Sequence, residues 1–194
     1  YQIHGWNSEY PIEESMEAMR LLQKQGKTRF IGVSNFNADQ MSQALQTAHF
    51  TSSQPRYNMF DREIEREDID FCQQFGIGIL AHSPLAKGLL TGKYSPDFQF
   101  PANDERSNYH RFQGKLFSQY LAAADELKKI AHQKGVTLVQ LSIAWALRLP
   151  AISCVLVGAK TADQVREQAV AATITLSDDE LKMISQILAT APES

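Results

Sequence analysis

The sequence predicts an α/β fold, a (β/α)8 TIM barrel that is present here as a partial barrel of about five strand–helix units. Short, almost continuous apolar segments alternate with longer segments that have helical spacing. Strands of this kind, joined by helices, indicate right-handed crossovers and a parallel sheet that helices cover. A complete eight-unit barrel needs about 250 residues. The 194 residues, read as one domain over 1–194, therefore predict that three N-terminal units are absent.

Apolar periodicity and turn residues place the individual elements along the chain. The predicted strands are residues 1–4, 30–33, 52–57, 77–81 and 154–157. The predicted helices are residues 11–26, 63–75, 117–134 and 138–148, with three more that start near residues 37, 161 and 177. The last strand is expected to be buried like the others.

Helix ends carry signals that fix where several of these helices begin and end. Capping pairs of a short polar residue and a residue three positions later are Asn37 and Gln40, Thr137 and Gln140, Thr161 and Gln164, and Ser177 and Glu180. Glycines stand where left-handed helix C-caps belong, at Gly26, Gly76 and Gly135. These signals predict the helix boundaries independently of hydrophobic periodicity.

Composition excludes several classes of protein. With 19 basic and 22 acidic residues the net charge is -3, and neither sign forms a long block, so neither nucleic acid nor a membrane is an expected partner. No apolar run approaches the roughly 18 residues of a membrane span, and the start does not resemble a signal peptide. We therefore expect a cytoplasmic protein.

The cysteines and acidic residues receive structural interpretations. Cys72 and Cys154 have no neighbours at metal-ligand spacing and are expected to be buried small hydrophobes, so no metal site is predicted. The acidic stretch at residues 61–70 is interpreted as a solvated helix face.

Three polar clusters follow apolar strands, at Ser34 and Asn35, at residues 82–85, and at residues 158–161. In a barrel these positions lie at the carboxyl ends of the strands, where active sites form. The irregular segment at residues 83–115 is far longer than the usual connection of about 2 to 6 residues, and such loops are commonly functional.

The last of these clusters has the chemistry of a phosphate site. Gly158 permits close approach of a ligand to the backbone, the following helix presents unpaired N–H groups, and Lys160 adds positive charge. An ordinary strand-to-helix turn that uses Gly and Thr for geometry is the alternative. His4 ends a strand and could donate a hydrogen bond to a substrate oxygen, or could simply bond a loop carbonyl.

Six motifs in order resemble the aldo-keto reductases, from strand four to the C-terminal helix. They are residues 1–6 (YQIHGW), 11–14 (PIEE), 26–36, 54–58 (QPRYN), 83–94 (SPLAKGLLTGKY) and 158–168. The similar branch is the one that includes bacterial general-stress-type reductases and potassium-channel beta subunits.

This resemblance implies a set of residues that bind NADP (NADPH). Ser34, Asn35 and Gln54 would hold the nicotinamide carboxamide, and His82 would stack on the ring. The residues implied to bind the rest of the cofactor are Ser83, Pro84, Leu85, Ala86 and Lys87 around the pyrophosphate, Lys93 and Arg106 folded over it, and Gly158, Lys160, Gln164, Glu167 and Gln168 at the adenosine end. Lys160 near a 2′-phosphate would favour NADP over NAD.

The sequence departs from the family pattern in three respects. His82 stands where the family usually has a larger aromatic ring, and Gln168 stands where it usually has Asn. His4 matches the catalytic residue that orients the substrate carbonyl, but the family's Tyr proton donor and its supporting Asp and Lys belong to units that precede strand four. Catalytic roles other than that of His4 are thus expected upstream of this chain.

Two functions from different classes are consistent with these residues. The first is NADP(H)-dependent reduction of aldehydes or ketones, small carbonyl compounds, to alcohols by a parent protein that contains the upstream residues. The alternative is a regulatory module that binds the nucleotide without turnover, as in potassium-channel beta subunits. Since a partial barrel has open sheet edges, the chain alone is expected to self-associate.

Overall fold

The computed structural model describes residues 1–192 and contains one five-stranded parallel sheet with strands in the order of the chain. The strands are β1 (Gln2–Ile3), β2 (Gly32–Ser34), β3 (Ser52–Gln54), β4 (Gly78–His82) and β5 (Ile152–Leu156). The helices are α1 (Ile12–Lys24), α2 (Ala38–Leu45), α3 (Asp68–Gln74), α4 (Gly114–Lys134), α5 (Leu138–Leu147), α6 (Ala162–Val170) and α7 (Asp178–Thr190). The prediction of a parallel α/β fold is confirmed.

The chain divides into two compact units that are described separately. The first comprises Tyr1–Tyr57, Arg62–His82 and Leu149–Leu156, and so contains the whole sheet with α1, α2 and α3. The second comprises Asn58–Asp61, Ser83–Arg148 and the chain from Val157, and contains α4 to α7 with the long irregular segment.

The sheet of the first unit brings the last residues of its strands to one edge. Gly32 pairs with Ser52 and Ser34 with Gln54 across β2 and β3, while β4 pairs with both β3 and β5. Ile31, Val33 and Ile79 are buried. Because all pairings are parallel, the polar residues that end the strands lie side by side.

The helices of the first unit begin and end largely as predicted. Asn37 accepts a bond from the Gln40 amide and Gln40 reaches back to the Asn37 amide, which completes the predicted capping box of α2. Gly26 and Gly76 have left-handed φ values of 71° and 65°. The Asp68 carboxylate accepts a 2.8 Å bond from the Ala38 amide, and burial raises the pKa of that carboxyl.

Two predictions about this part of the chain are wrong in detail. The predicted helix at residues 63–75 is a short 3-10 turn, Glu63–Glu65, followed by α3. Glu65 accepts a 2.5 Å hydrogen bond from the buried Tyr57 hydroxyl, which accounts for an early turn distinct from α3. Asp61 belongs to the second unit and is only 2% exposed, so the acidic stretch is not solvated throughout.

The predicted burial of the last strand and of Cys154 is also wrong. Cys154 is exposed and Leu156 is 38% exposed, because β5 lies at the end of the sheet and pairs with β4 on one side. Cys72 is buried as predicted, and burial raises the pKa of its thiol to about 12.

The second unit is helical and is built on α4, α5 and α7. Leu127 of α4 and Leu141 and Trp145 of α5 are buried. Lys134 of α4 forms a 2.9 Å ion pair with Glu180 near the start of α7. Gly135, with a φ of 75°, ends α4, and the predicted capping box of Thr137 and Gln140 starts α5. None of the helices within residues 1–192 is both long and apolar enough to cross a membrane.

Replacing Gly32 with Ala should destabilise the sheet. A Cβ at this position would lie 2.7 Å from the Ser52 carbonyl oxygen and closer still to the Ser52 hydroxyl. Because a backbone atom cannot move aside cheaply, we expect Gly32→Ala to lower the free energy of unfolding by about 1 to 3 kcal/mol in denaturant titration. The control is Gly5→Ala, which meets nothing within 4 Å. Equal stability of the two variants would contradict the prediction.

Candidate nucleotide-cofactor site

The first unit holds a cluster of polar residues at the carboxyl ends of its strands, which we call the strand-end cluster: His4, Ser34, Asn35, Gln54 and His82. Ser34, Gln54 and His82 are the last residues of β2, β3 and β4. The Ser34 hydroxyl donates a 2.8 Å bond to the Gln54 carbonyl, to which the Asn35 amide also donates at 3.1 Å. The sheet thus brings together residues that are far apart in the sequence, as predicted.

Asn35 is the centre of this cluster. It has a left-handed φ of 56°, a conformation that Asn tolerates better than most residues. Its Nδ2 donates to the His4 carbonyl at 3.2 Å and to the Ser34 hydroxyl at 3.1 Å, and its Oδ1 lies 2.8 Å from Nε2 of His82. Because the His4 carbonyl can only accept, the orientation of the Asn35 amide is fixed. Nε2 of His82 must then carry the proton in this hydrogen bond.

Gln54 and His4 complete the strand-end cluster. Nε2 of Gln54 donates to Oε1 of Gln2 at 2.6 Å, and Gln2 in turn donates to the Ser52 hydroxyl, so a hydrogen-bonded row crosses β1 and β3. The carbonyl of His4 orients Asn35, while its side chain is exposed. His4 therefore has a backbone role beside the side-chain role that the sequence predicted.

The second unit begins its long irregular segment with a tight turn, residues 83–87, to which the family resemblance would assign a pyrophosphate. We therefore call it the pyrophosphate segment. Three of its residues have left-handed φ values although none is glycine: Ser83 at 57°, Ala86 at 47° and Lys87 at 55°. Pro84 and Ala86 are buried, and the Ala86 amide donates to the Ser83 carbonyl at 3.0 Å. Leu85 accepts from the Gly88 amide at 2.8 Å.

Basic side chains of the long segment are held by acidic neighbours. Lys87 forms a 2.6 Å ion pair with Glu105 and lies 4.7 Å above the Tyr109 ring. Arg106 binds Asp104 through Nε and Nη2, and its Nη1 donates to the Tyr94 hydroxyl at 2.8 Å. Nη1 of Arg106 also donates to the Lys87 carbonyl at 3.3 Å. The Arg106 guanidinium therefore lies close to the pyrophosphate segment, to which Lys87 itself belongs.

Lys93, Arg106 and Lys160 form a group of cations that we call the basic cluster. The pKa of Lys93 is lowered, first by burial and then by the positive charges of Arg106 and Lys160. The pKa of Asp104 is lowered to about 2, chiefly by hydrogen bonds from Arg106 and also by the charge of Lys160. Residues predicted from two separate loops therefore share one electrostatic environment, which would stabilise a bound anion.

The start of α6 carries the remaining predicted residues. Thr161 caps the helix by accepting from the Gln164 amide, and the Gln164 side chain accepts a 2.7 Å bond from the Lys160 amide. The Glu167 carbonyl accepts from Gln140 of α5. These bonds anchor the loop that follows β5 and leave the Lys160 side chain exposed.

Gln168 is the exception in this unit. It is only 6% exposed, and its Nε2 donates to the Gly158 carbonyl at 3.0 Å. Its Oε1 is buried and accepts no hydrogen bond from residues 1–192. A buried acceptor without a partner costs roughly 1 to 3 kcal/mol, so this atom indicates a place where a ligand donor fits.

Sequence reasoning missed three residues that support the pyrophosphate segment. Asn58 is fully buried and donates to the Ser83 carbonyl at 2.9 Å, and Asp61 binds both Asn58 and Arg111. Asn58 stands in the motif at residues 54–58, but no pattern in a single sequence indicates that Arg111 would meet Asp61 fifty positions earlier. Residues 1–192 contain no group of three or more His, Cys, Asp or Glu side chains that could hold a metal ion.

Comparison with known proteins decides the family. The model of the aldo/keto reductase family matches residues 1–189. This chain is an aldo/keto reductase family member. It is 35% identical over 189 residues to aldo-keto reductase YhdN of Bacillus subtilis, covering 97% of this chain and 57% of that protein. It is 30% identical over 177 residues to the NADH-specific methylglyoxal reductase of Escherichia coli, covering 91% and 54%.

A solved structure supports the same assignment. The glycerol dehydrogenase AKR11B4 of Gluconobacter oxydans superposes with a TM-score of 0.91 and 35% sequence identity, covering all of this chain and 60% of that one. This aldo/keto reductase chain thus spans a little more than half the length of the curated relatives it matches. Family membership implies a nicotinamide cofactor, and the relatives' names differ in which one they specify.

Proposed function

We propose that this chain is the cofactor-holding part of an NADP(H)-dependent oxidoreductase that reduces aldehydes or ketones to alcohols. The observation that carries the proposal is the basic cluster together with the buried, unpartnered oxygen of Gln168. A dinucleotide has phosphate anions that the basic cluster would bind and an adenine amino group that would donate a hydrogen bond to the Gln168 oxygen. The partial-barrel architecture and the upstream location of the Tyr proton donor, with its Asp and Lys, belong to the same proposal.

The adenosine end of the cofactor would be held by the start of α6. The Gln168 oxygen would accept a hydrogen bond from the adenine amino group, and the Lys160 ammonium would pair with the 2′-phosphate. Gln164 and Glu167 lie on the same short helix, one turn apart from each other. Lys160 supports NADP(H), whereas the NADH-specific relative from E. coli makes NAD(H) the competing possibility.

The phosphates would be held by the pyrophosphate segment with Lys87, Lys93 and Arg106. Each of these cations lies near an acidic or aromatic side chain, so the cofactor would share or displace contacts with Glu105 and Asp104. The pKa of Lys93 is lowered first by burial and then by repulsion from Arg106 and Lys160, and a bound anion would relieve that repulsion. Binding should therefore raise the pKa of Lys93 toward its ordinary value.

The nicotinamide end would be held by the strand-end cluster. Ser34, Asn35 and Gln54 offer the donors and acceptors that a carboxamide needs, and His82 supplies a ring for packing. When bound, NADPH supplies hydride from C4 of the nicotinamide ring. The exposed imidazole of His4 would donate a hydrogen bond to the substrate carbonyl oxygen and so orient it for reduction.

Reversing the charge at Lys160 should weaken NADPH binding selectively. We expect Lys160→Glu to raise the dissociation constant for NADPH at least about tenfold, which corresponds to roughly 1.4 kcal/mol. NADH lacks the 2′-phosphate, so its dissociation constant should change far less. Fluorescence titration of both nucleotides measures the difference, and Lys182→Glu on the exposed face of α7 is the matched control. Equal weakening of both nucleotides would refute the role given to Lys160.

Replacing Gln168 with Met should have opposite effects on stability and on binding. The change removes the unsatisfied acceptor, worth roughly 1 to 3 kcal/mol, and one hydrogen bond to Gly158, worth about 0.5 to 1.5 kcal/mol. Thermal unfolding should therefore show unchanged or higher stability, while the dissociation constant for NADPH rises. Gln133→Met on the exposed surface of α4 is the control. A stability loss with unchanged binding would show that Gln168 has a structural role only.

Turnover separates the two candidate functions for the whole protein. Oxidation of NADPH with small aldehydes or ketones would support a reductase. Saturable NADPH binding without oxidation would support the regulatory module, and failure to bind NADPH would refute both.

We also propose that the chain alone self-associates through the outer edges of β1 and β5. The support is the exposure of Cys154 and of Leu156 along β5. Sedimentation should detect a dimer or larger species, and Leu156→Lys should shift the population toward monomer. Met183→Lys, which changes a residue of equal exposure on α7, should not. A monodisperse monomer for the unmodified chain would contradict the proposal.

A further inference from the structure

Both ends of the long irregular segment are attached to one buried turn. The turn is residues 58–61, in which Asn58 and Asp61 exchange backbone hydrogen bonds of 3.1 Å in both directions. At the start of the segment the Ser83 carbonyl binds the Asn58 side chain. Near its end Arg111 binds Asp61 through both terminal nitrogens, at 2.8 and 3.0 Å. We call Asn58, Asp61 and Arg111 the clasp.

Every hydrogen-bonding capacity of the Asn58 amide is used. Oδ1 accepts from the Phe60 amide at 2.9 Å and the Asp61 amide at 3.1 Å, while Nδ2 donates to Asp61 at 2.7 Å and to Ser83 at 2.9 Å. Two donors and two lone pairs are all that a primary amide offers. Asn58 is completely buried, so its position leaves the Ser83 carbonyl little freedom.

Asp61 and Arg111 hold the other end of the long segment through two hydrogen bonds. The pair is a parallel two-bond arrangement, the most directional ion pair that side chains form. Its side chains are only 3% and 15% exposed. The guanidinium of Arg111 also lies 5.2 Å from the centre of the Tyr120 ring, and that ring packs edge-on against Phe60 at 4.9 Å. The turn and Arg111 are therefore anchored on the same residue of α4.

The pyrophosphate segment needs such support because of its backbone. Ser83, Ala86 and Lys87 all have left-handed φ values, which L-residues other than glycine rarely adopt. Strained conformations of this kind persist only when surrounding contacts determine them, and they concentrate at ligand sites. The bond from Asn58 to the Ser83 carbonyl is a contact of this kind at the first of the three.

We propose that the clasp consists of positioning residues that hold the pyrophosphate segment in its binding conformation. This inference rests on the proposed function, because it assigns the segment to the cofactor's pyrophosphate. The clasp acts through Ser83 and through the end of the long segment. Breaking it should therefore weaken ligands that contain a pyrophosphate and spare ligands that reach only the adenosine end.

The experiment uses a double variant that avoids leaving a buried charge alone. Asp61→Asn/Arg111→Met removes both charges and keeps an oxygen that can accept from Asn58, and such exchanges are often neutral for stability. The single variant Arg111→Lys keeps the positive charge beside Asp61, so it should weaken NADPH binding less than the double variant does. Arg166→Met is the matched control, because Arg166 forms an exposed ion pair with Asp163 on α6. Thermal unfolding verifies that each variant is folded at the assay temperature.

Two measurements are made on these variants. Hydrogen exchange without nucleotide should be faster at residues 83–88 in the double variant than in the unmodified chain or in Arg166→Met. Fluorescence titration should give a dissociation constant for NADPH raised about tenfold, with that for adenosine 2′-monophosphate, which has no 5′-phosphate and so reaches only the adenosine end, unchanged.

The outcomes separate the clasp from the function on which it rests. Unchanged exchange at residues 83–88 would overturn the proposal, and so would equal weakening of both ligands. If the unmodified chain binds neither ligand, the proposed function fails, and hydrogen exchange alone still decides whether the clasp holds the segment.

Discussion

A polar group that is removed from water must find a partner, and the second unit is organised by that requirement. Asn58 meets it completely, with four hydrogen bonds to a turn, a carboxylate and a loop carbonyl. Asp61 meets it through Asn58 and Arg111. The irregular segment contains only short 3-10 turns before α4 begins, yet these buried groups give its two ends defined positions. Within residues 1–192, Oε1 of Gln168 is a buried side-chain acceptor that lacks a hydrogen-bond donor, and a bound ligand would supply one.

The electrostatics of the second unit follow the same logic at its surface. Burial lowers the pKa of Lys93, and the positive charges of Arg106 and Lys160 lower it further. Asp104 compensates in part, and its carboxyl has a pKa of about 2 because Arg106 donates hydrogen bonds to it. In stability terms, a carboxyl whose pKa is lower in the folded state than in the unfolded state stabilises the fold above its unfolded pKa. That contribution disappears as the pH falls through about 2.

The sequence predicted those features that depend on neighbouring residues. Asn37, Thr137 and Ser177 form capping boxes with the residues three positions later, and Gly26, Gly76 and Gly135 have the left-handed conformation expected of them. Parallel strands also followed from local pattern, and with them the positions of Ser34 and His82 at strand ends, whereas Gln54 was named only through the family resemblance. The residues at positions 158–161 indicated a phosphate site on their own, and the family resemblance supplied the roles proposed for the other residues after position 82.

The wrong predictions about burial share a cause, which is that burial depends on partners far away in the sequence. Cys154 lies in an apolar segment, but its exposure depends on which strand, if any, pairs with the outer side of β5. Asp61 lies in an acidic segment, but Arg111 and Asn58 make its burial possible. No periodicity within a short window contains either fact. The clasp was missed for the same reason.

His82 shows how a departure from a family pattern can have a function of its own. A Phe ring at this position could stack but could not donate to Asn35, whereas Nε2 of His82 does so at 2.8 Å. The donor series then has one direction, from His82 to Asn35, from Asn35 to Ser34, and from Ser34 to the Gln54 carbonyl. Oδ1 of Asn35 keeps a second lone pair, since a carbonyl oxygen accepts twice. Under the proposed function, the nicotinamide carboxamide would therefore meet an acceptor at Asn35 and present its NH2 group there.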